Sequence, residues 1–431
     1  MRFKIVDEMM GRGKTSAAIN MINSDRGKRY VFITPYLSEV TRIKNGCRGF
    51  CEPIDSDGIR KLDSFKALIK DGCDVVTTHA LFKILDEEAT VLLSKGSYTL
   101  IIDEALECIE EVDITPYDFN NIIKNYTTYT EEGLVYWRDD EYQGKYEIYK
   151  NMCVLGDIYK YGNRLYRLTP KRLFDVFSDI YVLTYMFKGS IFEKYLEMQG
   201  YEYIMLHTMF DNGKYYFTDK SSGHKKDDLY NLINIVDNPK MNSIGKYEAG
   251  YDRHKLTKSW YQNRATDEDF EAIKRHLHNF YRRMCKSQSK DNIWTTFKDY
   301  KTKLKGVGYT KGFISLNIRA TNEYKDKTNV AFLVNIFINP NIRNIMYKNG
   351  VGMEDDDYAL SILVQFIWRS AIRDGKAINL YIPSLRMRTL LMGWINENTS
   401  GSERYDIESE RRKYKMLNLK KRNKKEVCNY E

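Results

Sequence analysis

Residues 2–16, RFKIVDEMMGRGKTS, join the pattern of a strand to that of a helix through a glycine loop. RFKIV (2–6) has the apolar content of a short strand, and TSAAINMINS (15–24) has that of a helix. Between them stands Gly11-Arg12-Gly13-Lys14-Thr15-Ser16. A strand, a glycine turn and a helix opened by Lys-Thr aim backbone N–H groups and a helix N-terminus at phosphate. In such a loop Lys14 reaches the β- and γ-phosphates and the Thr15 hydroxyl ligates Mg²⁺. The full pattern asks for Gly or Ala at position 8, where this chain has Glu8.

Further along, Leu100-Ile101-Ile102-Asp103-Glu104-Ala105-Leu106 is an apolar run closed by two carboxylates. That arrangement suits one carboxylate for the Mg²⁺ shell, Asp103, and one for the attacking water, Glu104. RYVFITP (29–35), CDVVTTHALF (73–82), YTLIIDEAL (98–106) and SDIYVLTYMF (178–187) read as further strands separated by helical stretches. Strands alternating with helices predict an α/β fold with a parallel sheet. From Glu107 to about Pro170 the pattern degrades into Tyr-rich, acidic sequence, which reads as an insertion.

A second α/β unit is expected from DNIWTTF (291–297) onward, with strand-rich stretches at 312–322 and 330–340. DDYALSILVQFIWRSAIRDG (356–375) reads as one long helix ended by Gly375. On that helix the spacing of four puts Gln365, Arg369 and Arg373 on one face, opposite the apolar Phe366, Ile367, Ala371 and Ile372. Two arginines so placed can meet a transferring phosphate as an arginine finger does.

The chain has 431 residues, enough for two or three domains. No run of about 18 apolar residues or signal-peptide pattern is seen, so a cytoplasmic protein without a membrane partner is expected. Seven scattered cysteines, with Cys47 and Cys51 the one close pair in sequence, read as reduced structural thiols. The net charge is +9, and residues 411–425 hold nine Lys and Arg with no acid, leaving 59 basic against 59 acidic residues elsewhere. A basic C-terminal tail of this kind suits a polyanion.

Taken in order, these stretches resemble the motifs of superfamily 2 (DEAD/DEAH-like) helicases, especially short helicase-like ATPases encoded by bacteriophages. GRGKTS is similar to motif I, FITP with Thr34 and Pro35 to motif Ia, and IIDEAL to motif II. VVTTHAL, with Thr77, Thr78 and His79, stands where a strand-end motif contacts the nucleic-acid backbone. VLTYMF with Thr184 stands in the place of motif III, IWTTF with Thr296 resembles motif IV, IRATN with Thr321 motif V, and QFIWRSAIR motif VI. Arg373 follows Gln365 by eight residues where the family has seven, so either Arg369 or Arg373 can be the finger.

The resemblance implies two RecA-like domains in tandem, 1–210 with the insertion at about 107–170 and 211–400, followed by the tail 401–431. It implies ATP bound by Gly11, Gly13, Lys14, Thr15 and Ser16. Mg²⁺ is held by Thr15 and Asp103, while Glu104, Gln365, Arg369 and Arg373 act in hydrolysis. Single-stranded nucleic acid, DNA rather than RNA, lies along Thr34, Pro35, Thr78, His79, Thr296 and Thr321, with Thr184 coupling hydrolysis to movement. The expected role is a helicase or translocase in phage DNA replication or recombination, monomeric and meeting a protein of that pathway. A packaging-type motor that does not unwind, and a nucleic-acid-binding scaffold without turnover, are the rival readings.

Overall fold

The computed structural model describes residues 2–56, 58–220, 228–244, 253–316 and 323–413. Two compact units are present: Met1–Ser222 with Asn339–Met353, and Gly223–Ile338 with Glu354–Glu431. Both are α/β and each is built on its own sheet.

In the first unit the strands are β1 (Arg2–Asp7), β2 (Arg29–Thr34), β3 (Val75–Thr78), β4 (Tyr98–Asp103), β5 (Ile109–Glu111), β6 (Thr127–Tyr129), β7 (Val135–Trp137), β8 (Ile158–Tyr161), β9 (Arg164–Leu168), β10 (Asp179–Thr184), β11 (Glu202–Asp211) and β12 (Lys214–Thr218). The main sheet runs β12-β11-β1-β10-β4-β2-β3, parallel except for the β11–β12 hairpin. All six residues of β4 are buried, as a strand covered on both faces requires. Successive side chains feed two cores. Phe3, Ile5, Ile33, Leu100 and Ile102 face one, and Val6, Phe32, Ile101 and Leu183 face the other, where Ala18 and Ile22 of the helix Lys14–Ser24 pack.

The degraded stretch after Glu107 is ordered. It folds as a three-stranded antiparallel sheet β5-β9-β8, a β6–β7 hairpin and two helices around a separate small core that includes Phe119, Ile122, Trp137 and Tyr146. Tyr126 stacks on Trp137, and Tyr142 and Tyr146 meet Tyr126 edge-on, which is where the tyrosine-rich sequence goes. Asn339–Met353 also packs in this unit, although the sequence alone groups it with 211–400. Its helix Pro340–Lys348 buries Ile345 and Met346 in the core that holds Ile109 and Tyr166, and the Asn339 side-chain amide donates to Glu111 at 3.2 Å.

The second unit carries β13 (Ile233–Ile235), β14 (Asn292–Thr295), β15 (Asn329–Phe332) and β16 (Ile378–Tyr381), all parallel in the order β13-β16-β15-β14. Its register is marked by four asparagines, one per strand. Asn234 donates to Asn379 (3.2 Å), Asn379 to Asn329 (2.9 Å), Asn329 to Asn292 (3.2 Å), and Asn292 to the Gly308 carbonyl (2.9 Å). A slip of one residue would turn these amides to the opposite face and break the chain of bonds.

Three elements differ from their sequence reading. The strand at 73–82 stops at Thr78, because the Thr78 hydroxyl caps a helix, His79–Lys83, by accepting from the Leu81 N–H. In the 330–340 stretch only Asn329–Phe332 is strand. The helix expected over 356–375 ends at Ile367. There the Ser370 hydroxyl donates to the Ile367 carbonyl (2.6 Å), the Ala371 N–H leaves for the Lys327 carbonyl (2.8 Å), and Ala371–Asp374 forms a separate 3₁₀ turn. Cys47, Cys51, Cys73, Cys108, Cys153 and Cys285 are free thiols, and Cys51 meets Cys73 rather than Cys47 in space. Among the described residues no helix is long and apolar enough to cross a membrane. Most of the basic tail, from 414 onward, lies outside the described residues.

The Leu385–Asn398 helix is held by a buried ion pair: Arg388, fully buried, donates to Glu410 at 2.9 Å and to the Ile382 and Pro383 carbonyls. Removing one member strands the other's charge, which costs roughly 3–5 kcal/mol in buried pairs. Arg388→Ala should therefore destabilise the second unit by about that amount in denaturant unfolding, whereas loss of only a few tenths of a kcal/mol would mean the pair is solvated in solution.

Candidate active site

The carboxyl ends of β1, β10 and β4 lie side by side, where open α/β sheets bind ligands. Asp7 aligns with Thr184, and Leu183 aligns with Asp103. Each loop leaving the outer two strands is bonded to β10: the Glu8 N–H donates to the Thr184 carbonyl at 3.1 Å, and the Glu104 N–H donates to the Leu183 carbonyl at 2.9 Å.

The glycine loop has the backbone that phosphate binding requires. Gly11 and Gly13 have φ of +85° and +79°, a region closed to most side chains. A Cβ on Gly13 would also stand 2.3 Å from the Tyr215 ring. Gly13 caps the helix Lys14–Ser24 without a side-chain acceptor, so its first-turn N–H groups have no side chain across them. Lys14 is buried, its ammonium donating to the Glu8 carbonyl and, at 3.3 Å, to the Met9 carbonyl. Burial pushes the Lys14 ammonium below its ordinary pKa, and the negative charges of Glu104 and Asp103 oppose that. The Thr15 hydroxyl donates to Asp103 at 3.4 Å, and Ser16 is exposed one position on.

Asp103 is buried, and burial together with the neighbouring Glu104 pushes its pKa up to about 7. Glu104 is half-buried with φ of +65°. A left-handed conformation at a non-glycine residue is a stored strain of the kind that concentrates at active sites. The donor set fits Mg²⁺: a hydroxyl and a carboxylate, hard oxygens on adjacent elements, leaving the other positions to water and phosphate.

Several residues of this edge are not legible in the sequence. Glu8, standing where the pattern asks for Gly or Ala, pairs with His207 at 3.0 Å. The Thr208 hydroxyl donates to the Arg12 carbonyl (2.8 Å), and Asn20 donates to the Tyr215 carbonyl (3.0 Å). The β11–β12 hairpin thus braces the glycine loop from outside. Asp7 accepts from the Phe187 N–H at 3.1 Å, tying the start of the loop to the segment after Thr184.

The remaining candidates divide by exposure. Thr34, His79, Thr184 and Thr296 are buried, whereas Pro35 and Thr78 are partly accessible. Thr321 lies outside the described residues. In the second unit, Gln365 is half-buried in the last turn of the helix Asp355–Ile367. Arg369 lies beyond the helix end, buried, with its guanidinium 5.5 Å from the Phe366 ring centroid and donating to the Leu316 carbonyl. Arg373 is half-buried in the 3₁₀ turn. The three do not share one helical face, as a continuous helix would have required.

Comparison with known proteins gives a family model described as the YonV C-terminal Rossmann-like domain, matched by residues 227–395. The SPbeta prophage-derived uncharacterized protein YonV of Bacillus subtilis (strain 168) is 38% identical over 412 residues, covering 91% of this chain and 98% of that protein. Two solved structures are also similar at 12% identity: an apo XPD, with a TM-score of 0.48 over 90% of this chain and 95% of that one, and Xpd4 of S. tokodaii, with a TM-score of 0.44 over 91% and 94%.

The loop geometry predicts that Gly13→Ala and Lys14→Ala each reduce binding of a nucleoside triphosphate by at least tenfold in calorimetry. Thr15→Val should weaken binding only when Mg²⁺ is present. Equal weakening with and without Mg²⁺ would remove Thr15 from the metal shell.

Proposed function

We propose that this chain, which belongs to the YonV family, is an ATP-driven nucleic-acid motor of the superfamily 2 helicase type. The observation that supports it most is the junction of Lys14, Thr15, Asp103 and the strained Glu104 on one sheet edge, with the end of β10 between the two loops. ATP is the substrate this set suits. Lys14, now on the Glu8 and Met9 carbonyls, would turn to the β- and γ-phosphates, while the N–H groups of the first turn hold them. Thr15 and Asp103 would hold Mg²⁺, which supplies charge neutralisation to the phosphate oxygens when bound. Glu104 would orient the attacking water and accept its proton. A buried Lys14 beside Asp103 and Glu104 is the arrangement turnover needs, and this favours an enzyme over a scaffold.

Arg373 is the better candidate for the arginine finger. Arg369 is buried and committed to the Leu316 carbonyl and the Phe366 ring, whereas Arg373 is partly accessible and no carboxylate among the described residues pairs with it. Single-stranded nucleic acid, DNA rather than RNA, would run past Pro35 and Thr78, the accessible members of the strand-end set. Binding there would be read through Thr184 by way of β10, which is bonded to both catalytic loops. The proposed setting is phage DNA replication or recombination; the prophage-derived relative agrees with a phage origin.

Fingers of this kind are worth about 10³–10⁵ in rate. Arg373→Ala should lower nucleic-acid-stimulated hydrolysis by orders of magnitude while ATP still binds, and Glu104→Gln should bind ATP without turning it over. Arg369→Ala should mainly lower the melting temperature. Full stimulated activity in Arg373→Ala would remove the finger, and near-normal hydrolysis in Glu104→Gln would remove the water-activating role.

A further inference from the structure

The charge count of the whole chain conceals a second basic block. Residues 272–311 contain eleven Lys and Arg and two acids, Asp291 and Asp299, a net of +9 that acids elsewhere offset. In the second unit this segment folds back on itself. The helix Asp267–His278 runs on into a π-helical turn, Asn279–Met284, and the chain returns through β14 to the loop Gly306–Tyr309. Phe270, Ile273, Leu277, Phe280 and Tyr281 fill the core beneath, so the polar residues of the helix are turned outward.

Between the helix and the loop lies a groove of about 500 Å³, lined by Lys274, Arg275, His278, Arg283 and the loop residues Val307 and Tyr309. Lys274 is partly neutralised by Glu271 at 2.8 Å. Among the described residues no carboxylate pairs with Arg275, Arg283 or Lys305, and all three are exposed. Other basic side chains of the segment are spent within the fold: Lys301 lies over Phe313, Lys303 over Phe270, and Arg282 against Gly308. Cations in the last turn of a helix complement its dipole. That accounts for each cation singly, since Arg283 lies in the last turn of the π-helical continuation and Lys305 caps the helix Lys301–Leu304, but not for Arg275 and Arg283 lining one groove with Lys305 next to its loop. Val307 stands 81% exposed in the middle of this charge. A π-helical turn is also an uncommon feature, found frequently at functional sites.

We propose that this groove binds the phosphodiester backbone of a nucleic acid, independently of sequence. It is a second contact surface, separate from the strand-end set. The loop is anchored at the start of β14 through the Asn292 bond to the Gly308 carbonyl, whereas Thr296 follows the far end of that strand. At about 3.3 Å per residue the two positions are roughly 13 Å apart, at opposite ends of the strand. Arg275 and Arg283 of the groove, with Lys305 next to its loop, bind the phosphates, and Val307 offers an apolar patch to a sugar or an unstacked base. The proposal extends the motor reading, yet it is measured by binding alone.

The test uses the full chain with Arg275→Gln, Arg283→Gln and Lys305→Gln combined, and a matched variant with Arg275→Lys and Arg283→Lys. Binding of a mixed-sequence single-stranded DNA and of its duplex is titrated by fluorescence anisotropy across salt concentrations. For every phosphate no longer neutralised, the slope of log K against log salt falls by about 0.7 for a single strand and about 0.9 for a duplex. The glutamine variant should lose about 2 from the single-strand slope or about 2.7 from the duplex slope, and the arm affected says which form of nucleic acid is held. The lysine variant should keep the slope, and melting temperature and ATP hydrolysis without nucleic acid should stay unchanged in both. An unchanged slope in both arms overturns the proposal, the groove then meeting an acidic protein surface or nothing. Loss of binding in both variants with a lowered melting temperature overturns it too. If the wild-type chain hydrolyses no ATP yet the slope falls as stated, the motor reading fails and the groove stands.

Discussion

Two backbone hydrogen bonds hold the candidate site together. The Glu8 N–H reaches the Thr184 carbonyl and the Glu104 N–H reaches the Leu183 carbonyl, so consecutive residues of one strand hold the loops of the two neighbouring strands. The register that allows this, Asp7 opposite Thr184 and Leu183 opposite Asp103, follows from parallel pairing of three strands whose apolar residues are buried. Buried strands of this kind cannot slip by a residue without turning an apolar face over. Lys14, Thr15 and Asp103 are brought together as a consequence. β10 is therefore the natural element for relaying a change at one loop to the other. The Asp7 bond to the Phe187 N–H adds a third tie to the same strand end.

How much of this is legible in the sequence varies with the physics of each stretch. Apolar runs such as YTLIIDEAL announce themselves, because every position of a doubly covered strand is buried. The glycine loop is legible because its glycines answer a backbone requirement that most other residues cannot meet. The end of the helix at Ile367 is hidden. Nothing in FIWRSAIRDG forbids a helix, and the break is made by a tertiary bond from Ala371 to Lys327 and a local one from Ser370. The role of Asn339–Met353 is hidden for a similar reason, since its apolar residues do not say which core they enter. Glu8 is visible only as a departure from the loop pattern, because its partner His207 lies 199 residues away.

Charge gives the most misleading reading. A balance of 59 against 59 outside the tail suggests a neutral body, yet 272–311 alone carries +9. Sums over a chain erase blocks of opposite sign, and the block matters only because the helix Asp267–His278 and the loop at Gly306–Tyr309 bring its cations onto one groove. The asparagine ladder is part of that outcome. It runs through all four strands of the second sheet and ends on the Gly308 carbonyl, fixing the loop to the sheet edge. Amides satisfied by one another in this way give the sheet a single register at small net cost.

Central to the proposed mechanism is that the edge formed by β1, β10 and β4 turns over ATP under the control of nucleic acid. The most direct measurement is phosphate release by the purified full-length chain with Mg²⁺ and saturating ATP, alone and with single-stranded DNA or RNA. The mechanism predicts measurable hydrolysis that rises several-fold or more with single-stranded nucleic acid, DNA above RNA. No phosphate release in any arm, from a folded chain that binds the nucleic acid, would contradict it.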